Sequence, residues 1–525
     1  MPFKTTPEID FSAVGLITDV PTHSLPDGAW NDCLTLRCKD GSVQGVNTFV
    51  DDIVLHGGST PDPVIRDGKA MAVTQFTPAG YNYLVLAFIV KGTDNFGHVV
   101  TYNTSTAVWD DITNSTTALK FTFDDKYPPQ IFVFNELLIV NPAVDAPPMF
   151  TDAGITSGSL ALIPSWPVSD PAPAGGTTYS IVTRSLKPFG NRLMAMNIFE
   201  ENATGTSDDV NLPVDILWSS HITGIGSLTN VEWTASTTNT AGDAFAVDTP
   251  GKILDGGQLG EFFIAYKSDA VIRVSETGDT LVLSFESIFE DDGIYSARCF
   301  ANIGDAQHLV VGNYGVFIHD GQSQKTDIAK GIFQDTIFSL VKAAEKERAF
   351  CFQQTRDKEV WFCFSSTTNT ALGCDLAFVY DYNEQKLHKR SLPGLSDIFE
   401  TELNGELKIY AAKPSDTKLQ LLSNTTYEAD GFFVQEDNNL TDNTEIKWIN
   451  GIYLDAVQSV KIALTATQRL TDTKVYTLKS FDPATSHKVD VRTTGRYMNL
   501  KVQMDGSNNP QLGKLQFDIK LAGKR

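Results

Sequence analysis

The sequence has few basic residues and no long apolar run, and each shortage excludes a class of protein. It contains 41 lysines and arginines against 64 aspartates and glutamates, which gives a net charge of −23. A protein that holds nucleic acid through its phosphates needs a basic surface, so the composition argues against that class. Apolar runs stay below ten residues, whereas a membrane-spanning helix needs about 20. The N-terminal stretch MPFKTTPEIDF has no apolar segment, so no signal peptide is predicted.

The cysteines are few and are not spaced for a structural metal. The six are Cys33, Cys38, Cys299, Cys351, Cys363 and Cys374. Zinc ribbons need paired, close spacings, and no Cys-x-x-Cys occurs. Cys351 and Cys363 lie in apolar, strand-like runs, where buried and inert thiols are expected. We therefore predict no metal site and no cofactor.

Catalytic motifs are also missing. The chain has no P-loop, no Gly-x-Gly-x-x-Gly after a strand, no His-Glu-x-x-His and no Gly-x-Ser-x-Gly elbow. No two of its histidines stand at i, i+2 or i, i+4; they are His23, His56, His98, His221, His308, His319, His388 and His487. His308 and His319 flank one predicted hairpin and could face each other, most simply as hydrogen-bonded strand residues. The prediction is that the chain is not an enzyme and has no catalytic residue.

Adjacent carboxylates are the remaining candidates for chemistry. They are Asp51-Asp52, Asp110-Asp111, Asp124-Asp125, Asp208-Asp209 and Glu290-Asp291-Asp292. Glycoside hydrolysis needs two carboxyl groups at a fixed separation, but nearly all of these pairs follow strands, where turn formation explains them.

The tryptophans allow two interpretations. They are Trp30, Trp109, Trp166, Trp218, Trp233, Trp361 and Trp448. A sugar-binding surface would use such rings, but at roughly one per predicted repeat, packing between repeats is the more economical explanation.

What the sequence does have is repeated hairpins, and they are clearest between residues 251 and 321. FFIAY (262–266) and AVIRV (270–274) form the first, and HLVVG (308–312) and VFIHD (316–320) form the second. Both are rich in β-branched and aromatic residues and are bounded by Gly, Asp and Ser. A hairpin that returns after 46 residues is typical of a β-propeller blade.

Hairpins recur in this way over most of the chain, and they predict an all-β protein with a propeller of six or seven blades. Further blades are predicted near 68–113, 127–165, 185–234, 340–393 and 394–423. Residues 200–211 and 235–248 are predicted exposed loops, Asn404-Gly405 is a predicted hairpin turn, and 335–350 is either a short helix or part of a blade.

Two segments flank the propeller, which gives three predicted regions: an N-terminal arm and closure strand at 1–67, the propeller at 68–423 and an antiparallel β-rich region at 424–525. In the arm, CLTLRC (33–38) is predicted to be one short strand. The arm either closes the ring by pairing with the last blade or reaches a neighbouring molecule. The C-terminal region has alternating polar and apolar positions and denser lysines and arginines, as in a small sandwich or barrel.

Five stretches resemble the nozzle, or tail-hub (stabilisation), proteins of short-tailed bacteriophages. They are LPDGAWNDCLTLRCKDGSVQGV (25–46), VFNELLIVNPAVDAPPMFTDAG (133–154), PFGNRLMAMNIFEEN with ILWSSHITGIGSLTNVEW (188–233), the 251–321 stretch, and GRYMNLKVQMDGSNNPQLGKLQFDIKLAGKR (495–525). The similarity is one of pattern and order over most of the chain.

The resemblance implies a structural protein of the virion, made in the host cytoplasm, with no enzymatic residues. Six copies would form a ring below the portal and the tail adaptor protein, with tail fibres or a needle attached. Genomic DNA would be retained above this ring and ejected through its lumen without specific binding. Two alternatives stay open: a glycan-binding propeller that acts as a tail-associated receptor-binding protein, and a propeller hydrolase.

Overall fold

The computed structural model describes residues 4–55, 62–78, 84–113, 121–124, 126–151, 159–167, 179–202, 209–278, 282–304, 306–403, 405–440, 445–506, 509 and 511–522. The predicted turn residue Asn404, the carboxylates Asp125 and Asp208, and His56 lie outside these residues.

Short strands make up the N-terminal arm. They are β1 (Lys4–Thr5), β2 (Glu8–Asp10), β3 (Gly15–Leu16), β4 (Ala29–Trp30), β5 (Asp32–Leu34), β6 (Leu36–Lys39), β7 (Ser42–Gly45) and β8 (Asn47–Val54). A 3-10 turn occupies Thr22–Ser24, and a one-turn helix, α1 (Pro63–Arg66), follows the arm. Asp62 caps α1 by accepting a hydrogen bond from the backbone of Val64.

Seven antiparallel sheets of four strands follow within the described residues. Blade 1 contains β9 (Lys69–Phe76), β10 (Val85–Lys91), β11 (Gly97–Asn103) and β12 (Val108–Asp111). Blade 2 contains β13 (Gln130–Phe134), β14 (Leu137–Asn141), β15 (Met149–Thr151) and β16 (Ala161–Leu162). Blade 3 contains β17 (Tyr179–Phe189), β18 (Arg192–Asn202), β19 (Val210–Trp218) and β20 (Gly242–Phe245). Blade 4 contains β21 (Ile253–Leu259), β22 (Phe262–Lys267), β23 (Val271–Glu276) and β24 (Leu283–Phe289).

Blade 5 contains β25 (Phe300–Ile303), β26 (Gln307–Val311), β27 (Val316–His319) and β28 (Lys325–Asp327). A short helix, α2 (Gln334–Leu340), and a 3-10 turn at Ala343–Arg348 connect it to the next blade. Blade 6 contains β29 (Phe350–Gln354), β30 (Glu359–Phe364), β31 (Cys374–Asp381) and β32 (Lys386–Leu395). Blade 7 contains β33 (Asp397–Leu403), β34 (Glu406–Ala412), β35 (Lys418–Tyr427) and, from the arm, β8.

The blades form a closed ring, so the propeller prediction is confirmed, with seven blades. The first strand of each blade is the innermost one, because first strands of neighbouring blades contact each other around most of the ring, including β33 of blade 7 against β9 of blade 1. Blades 4 and 5 are joined by Asp255, which accepts a hydrogen bond from the backbone N–H of Arg298 at 2.9 Å.

Strand β8 closes the ring. It pairs antiparallel with β35, with Val50 opposite Leu421. Of the two roles predicted for the arm, the structure shows closure of the ring by pairing with the last blade. The closing strand is tied down further by Arg390, whose guanidinium donates to the backbone oxygen of Asn47 at 2.8 Å.

The middle strands of the blades are apolar on both faces because each blade packs between two others. Residues 85–90 of β10 are all fully buried, as are Leu137 to Val140 of β14. Hydrophobic clusters fill the spaces between blades; one, between blades 3 and 4, contains Met194 and Phe263. A strand buried on both faces reads as a continuous apolar run instead of an alternating one, which is the pattern that the sequence shows.

The C-terminal strands form two further sheets. They are β36 (Phe432–Asn438), β37 (Lys447–Ala456), β38 (Val460–Thr467), β39 (Lys479–Phe481), β40 (Lys488–Gly495), β41 (Tyr497–Met504) and β42 (Leu512–Leu521). One sheet has the order β40-β37-β42-β7-β6, with β1 and β2 also paired to β42, and the other has the order β39-β38-β41-β36-β5. Their inward residues share one apolar cluster that includes Trp30, Phe433 and Ile519.

The arm is therefore part of both bodies. Five of its strands complete the two C-terminal sheets, and β8 completes the propeller. The segments also differ from the predicted regions at one boundary, because β35 continues to Tyr427 instead of ending at 423. The C-terminal body lies against the outermost strand of blade 6, where β32 contacts β3, β5 and β6.

Two local predictions need correction. The predicted loop at 235–248 contains β20, the outermost strand of blade 3. The predicted strand CLTLRC is divided between β5 and β6, which belong to different sheets. The break is at Thr35, whose φ is 56°. Of the two alternatives for the segment 335–350, the structure has the short helix, which is followed by a 3-10 turn.

Candidate functional site: the axial mouth of the propeller

The carboxylate pairs singled out in the sequence lie on separate elements. Asp51 belongs to β8, where it contacts Lys418 at 2.9 Å and Gln420 at 2.7 Å. Asp111 ends β12 and lies 3.7 Å from His98. Asp292 follows β24 and pairs with Lys325. Asp51 and Asp111 thus contact residues of their own blade, and Asp292 links blade 4 to blade 5, as turn and strand-end residues can.

His308 and His319 do face each other, as directly opposed residues of β26 and β27. The hydroxyl of Tyr266 lies between them, 2.7 Å from His308 Nδ1 and 2.8 Å from His319 Nε2. Burial lowers the pKa of His308 to about 3 and that of His319 to about 4. Both rings are therefore neutral and act as hydrogen-bonding parts of the core.

The cysteines are all free thiols, and Cys351 alone is not fully buried. Burial raises the pKa of Cys299 to about 11 and that of Cys33 to about 12. Reactive cysteines have lowered pKa values, so these thiols are structural. Among the described residues no group of three or more His, Cys, Asp or Glu side chains is placed to hold a metal ion.

A layer of charged and polar side chains on the innermost strands joins neighbouring blades and also connects blade 5 to blade 7. Asp255 of blade 4 accepts from Ser185 of blade 3 at 2.7 Å and lies 3.3 Å from the ammonium of Lys187. Arg298, which precedes the first strand of blade 5, lies 3.4 Å from Asp397 of blade 7. Burial raises the pKa of Asp397, although the charge of Arg298 acts against this. The layer fixes Arg298 from both ends.

Arg298 connects this layer to a cavity of about 730 Å³ at one mouth of the propeller, which it lines. The mouth is the face on which the innermost strands begin. Lys69 starts β9, Pro129 precedes β13, and Arg298, Arg348 and Ser396 precede β25, β29 and β33. The remaining wall comes from loops of blades 1, 2, 6 and 7, and includes Met71, Lys91, Phe123, Leu372 and Pro414.

The charge of this wall is unlike that of the whole chain. Four cations line it, namely Lys69, Lys91, Arg298 and Arg348, and the acidic residues that line it are Asp67 and Asp124. Asp67 is already held by Arg66 through two hydrogen bonds of 2.8 and 2.7 Å. Arg348 is paired with Glu345 at 3.0 Å and Arg298 lies 3.4 Å from Asp397, so Lys69 and Lys91 are the two cations of the wall that no described carboxylate pairs with. A concave site with low-dielectric walls concentrates the field of these two charges.

The sequence analysis did not select these four residues, although a signal exists for two of them. Arg298 and Arg348 both stand two residues before an innermost strand, in the matching triplets Arg-Cys-Phe and Arg-Ala-Phe. Aligned repeats would have placed both at one mouth. Lys69 and Lys91 are directly opposed residues of β9 and β10, so the first hairpin of blade 1 brings both to the cavity.

Comparisons with known proteins show similarity in structure only. The sequence matches no known family profile and no curated protein. The WD40 domain of Pan2 from Neurospora crassa is 8% identical, with 73% of this chain and 96% of that chain covered and a TM-score of 0.36. A puromycin-hydrolysing peptidase of Mycobacterium tuberculosis is 9% identical, with 74% of this chain and 62% of that chain covered and a TM-score of 0.37. The chain therefore spans less than two thirds of that peptidase. An exo-β-1,3-galactanase of Phanerochaete chrysosporium is 10% identical, with 63% of this chain and 95% of that chain covered and a TM-score of 0.23.

These similarities carry no functional information, and the propeller assignment rests on the strand pairing described above. Within the part of the chain that the structure describes, no helix is both long and apolar enough to span a membrane.

Proposed function

We propose that this chain is a nozzle, or tail-hub, subunit of a short-tailed bacteriophage. In this role it is a structural protein of the virion tail, and six copies form a ring through which genomic DNA is retained and ejected. The tail adaptor protein binds above the ring, and fibres or a needle bind to it. The observation that carries the proposal is the arm, because the stretch at 25–46, which resembles these proteins, connects both bodies of the subunit.

The arm supports the proposal through its mechanical consequence. Strand β8 closes the propeller, and β5, β6 and β7 complete the C-terminal sheets. Ion pairs strengthen the junction, with Arg37 at 3.1 Å from both Asp357 and Glu359 of blade 6. One continuous arm supplies strands to both bodies of the subunit. Such a subunit resists hinge motion, which suits a ring that retains DNA under pressure.

The distribution of charge supports a conduit that does not grip DNA. Residues 424–525 contain 13 basic and 12 acidic residues, so the net negative charge of the chain lies in its first 423 residues. Each lysine or arginine contact to phosphate adds affinity. A lumen lined by acidic propeller surfaces would let the duplex pass without such contacts.

The C-terminal body offers a surface for contact between subunits or with the adaptor. In β37, Trp448 is 49% exposed and Tyr453 is 37% exposed, and Val457, which follows this strand, is 67% exposed. Exposed aromatic side chains of this kind are enriched at protein interfaces.

The test is the assembly state of the purified chain, alone and with its tail neighbours, by light scattering and negative-stain imaging. A six-fold ring with a central hole that does not retain duplex DNA at physiological salt is expected. The double variant Trp448→Glu/Tyr453→Glu should remain folded but fail to assemble. Its control is Val247→Glu/Tyr314→Glu, which changes two propeller residues that are both 66% exposed and so even more accessible. A chain that stays monomeric with all tail components present contradicts the proposal.

The glycan-binding alternative receives less support from the aromatic residues. It requires exposed aromatic platforms, yet six of the seven tryptophans are at most 9% exposed and Trp448 alone is at the surface. Trp166 and Trp233, for example, pack edge to face at 4.6 Å in the core of blades 2 and 3. These rings stabilise the propeller by packing, as the sequence analysis favoured.

A further inference from the structure

The mouth cavity has the size and wall of a small-molecule site. Its volume of about 730 Å³ lies within the usual range of ligand pockets, about 300–1,000 Å³. Apolar surfaces from Met71, Phe123, Leu372 and Leu395 alternate with the charged groups around it. An apolar wall with a few convergent polar groups is the usual composition of such sites.

Two of the four cations of the wall, Lys69 and Lys91, are available to a ligand. Lys69 is exposed, and among the described residues no carboxylate lies within 4.0 Å of its ammonium or that of Lys91. Lys91 lies 5.9 Å from the ring centroid of Phe123, which holds it at the cavity wall. Two ammonium groups without acidic partners in one concave site favour the entry of an anion.

Arg298 adds a positioned guanidinium. Its two protein contacts, to Asp397 Oδ1 and to the backbone oxygen of Ser396, are both long at 3.4 Å. Its Nε is buried and donates to no acceptor among the described residues. Stacking against Phe350, with the guanidinium carbon 5.2 Å from the ring centroid, fixes its plane. A guanidinium held in this way presents its donors as a fork that matches carboxylate or phosphate oxygens.

We propose that the axial mouth binds a small, multiply charged anion that carries phosphate or carboxylate groups on a compact carbon scaffold. Lys69 and Lys91 contact one anionic group, Arg298 contacts another, and Phe123 with Met71 covers the scaffold. The proposal is independent of the nozzle function, because the site is contained within one subunit.

The test is calorimetric titration of the full chain with pyrophosphate, with citrate and with glucose as the neutral probe. Saturable binding of pyrophosphate or citrate, weakened by added salt, and no binding of glucose are expected. The stronger of the two anions identifies the anionic group. The variant Lys69→Gln/Lys91→Gln should weaken binding at least about tenfold, since charge-assisted contacts are among the strongest hydrogen bonds.

The matched control is Lys479→Gln/Lys488→Gln, which removes the same charge from a pocket of the C-terminal body and should leave the affinity unchanged. Thermal melting of both variants checks that they are folded. Three results overturn the proposal: no saturable binding at millimolar anion, equal weakening in both double variants, or binding of duplex DNA alone.

Discussion

His308 and His319 are directly opposed in blade 5 and are connected through one hydroxyl, that of Tyr266 in blade 4. The backbone N–H of Gly321 donates to His319 Nδ1 at 3.1 Å, and His308 Nε2 lies 3.2 Å from the backbone oxygen of Gln258. The backbone N–H of Gly321 can only donate and the backbone oxygen of Gln258 can only accept, so all hydrogen bonds in this series run in one direction. His319 Nε2–H donates to the Tyr266 oxygen, and the tyrosine hydroxyl donates to His308 Nδ1. Every polar atom in it is paired.

This connection predicts that the protein loses stability in mild acid. The folded pKa values are lowered to about 3 and about 4, whereas an unfolded histidine titrates near about 6.5. The unfolded chain therefore binds more protons below about 6.5, so this stabilisation is complete above that pH and declines as the pH falls towards 4. Each histidine contributes a slope of about 1.4 kcal/mol per pH unit in that window.

The measurement is the free energy of unfolding from denaturant titrations between pH 7 and pH 5. The triple variant Tyr266→Phe/His308→Leu/His319→Leu, which replaces the network with apolar groups, should have a smaller slope, and the difference should approach about 2.7 kcal/mol per pH unit at the acid end of this range. His388 should still contribute in that variant, since burial, with Arg37 and Arg390 nearby, lowers its pKa well below the usual value. An unchanged slope would mean that the pair does not titrate as described.

A second prediction concerns Tyr266→Phe alone at pH 7. Removal of the hydroxyl leaves one histidine donor and one histidine acceptor unpaired in the core, and each unpaired buried group costs about 1–3 kcal/mol. We expect a loss of about 2–4 kcal/mol in the free energy of unfolding. The control is Tyr314→Phe, whose side chain is 66% exposed and whose change should stay within about 0.5 kcal/mol. Equal losses in both variants would contradict this account.

The sequence predicted the propeller well because its signal is local. The hairpins around Lys267 and Tyr314 are present with the predicted pairing, since β-branched runs bounded by turn residues specify a hairpin without help from distant segments. The division of CLTLRC could not be predicted. It depends on Thr35, a β-branched residue at positive φ, whose N–H donates to Lys389 of blade 6 at 2.8 Å, a contact made only in the assembled fold.

The candidate site was less predictable, because its residues from different blades also come together only in the assembled fold. Arg298 reaches Asp397 across 99 residues of sequence, and a pattern with a short period cannot place two such residues together. Likewise, β20 was missed because its four residues, Gly242–Phe245, have little strand propensity of their own. They are held as a strand by pairing with β19, where Asp243 lies opposite Leu217.

A third prediction tests how the closing strand is held. Arg390 is 3% exposed, its guanidinium carbon lies 4.0 Å from the ring centroid of Trp361, and it donates to Asn47 at the start of β8. Arg390→Met should cost about 2–4 kcal/mol, because the Asn47 oxygen loses its charged donor and the cation no longer packs on the ring. Hydrogen exchange should accelerate in β8 and β35.

The control for that variant is the neighbouring residue. Lys389 pairs at 2.5 Å with Asp32, whose side chain is 45% exposed, and a pair with one solvated partner contributes about 1 kcal/mol or less. Lys389→Met should therefore leave exchange in β8 unchanged. Slow exchange in β8 of the Arg390→Met protein would show that strand pairing alone holds the closure.

The last prediction uses truncation to separate the two roles of the arm, which closes the propeller and completes the C-terminal sheets. Deletion of residues 1–10 removes β1 and β2, which pair only with one edge of β42. Deletion of residues 1–54 also removes β5 to β8 and with them Trp30, which is fully buried against Phe433 at 4.9 Å between ring centroids. The short deletion should leave a cooperative thermal transition at a lower temperature.

The long deletion should abolish that transition. It exposes the edge of β35 along Lys418–Tyr427, and an uncovered strand edge is a template for aggregation. Val50→Pro in the full chain distinguishes the two causes, because it removes one backbone donor from β8 and leaves the C-terminal sheets complete. Aggregation in light scattering for both the long deletion and Val50→Pro assigns the effect to ring closure. Aggregation of the long deletion alone assigns it to the C-terminal sheets, and a long deletion that melts like the full chain would show that the arm is dispensable for folding.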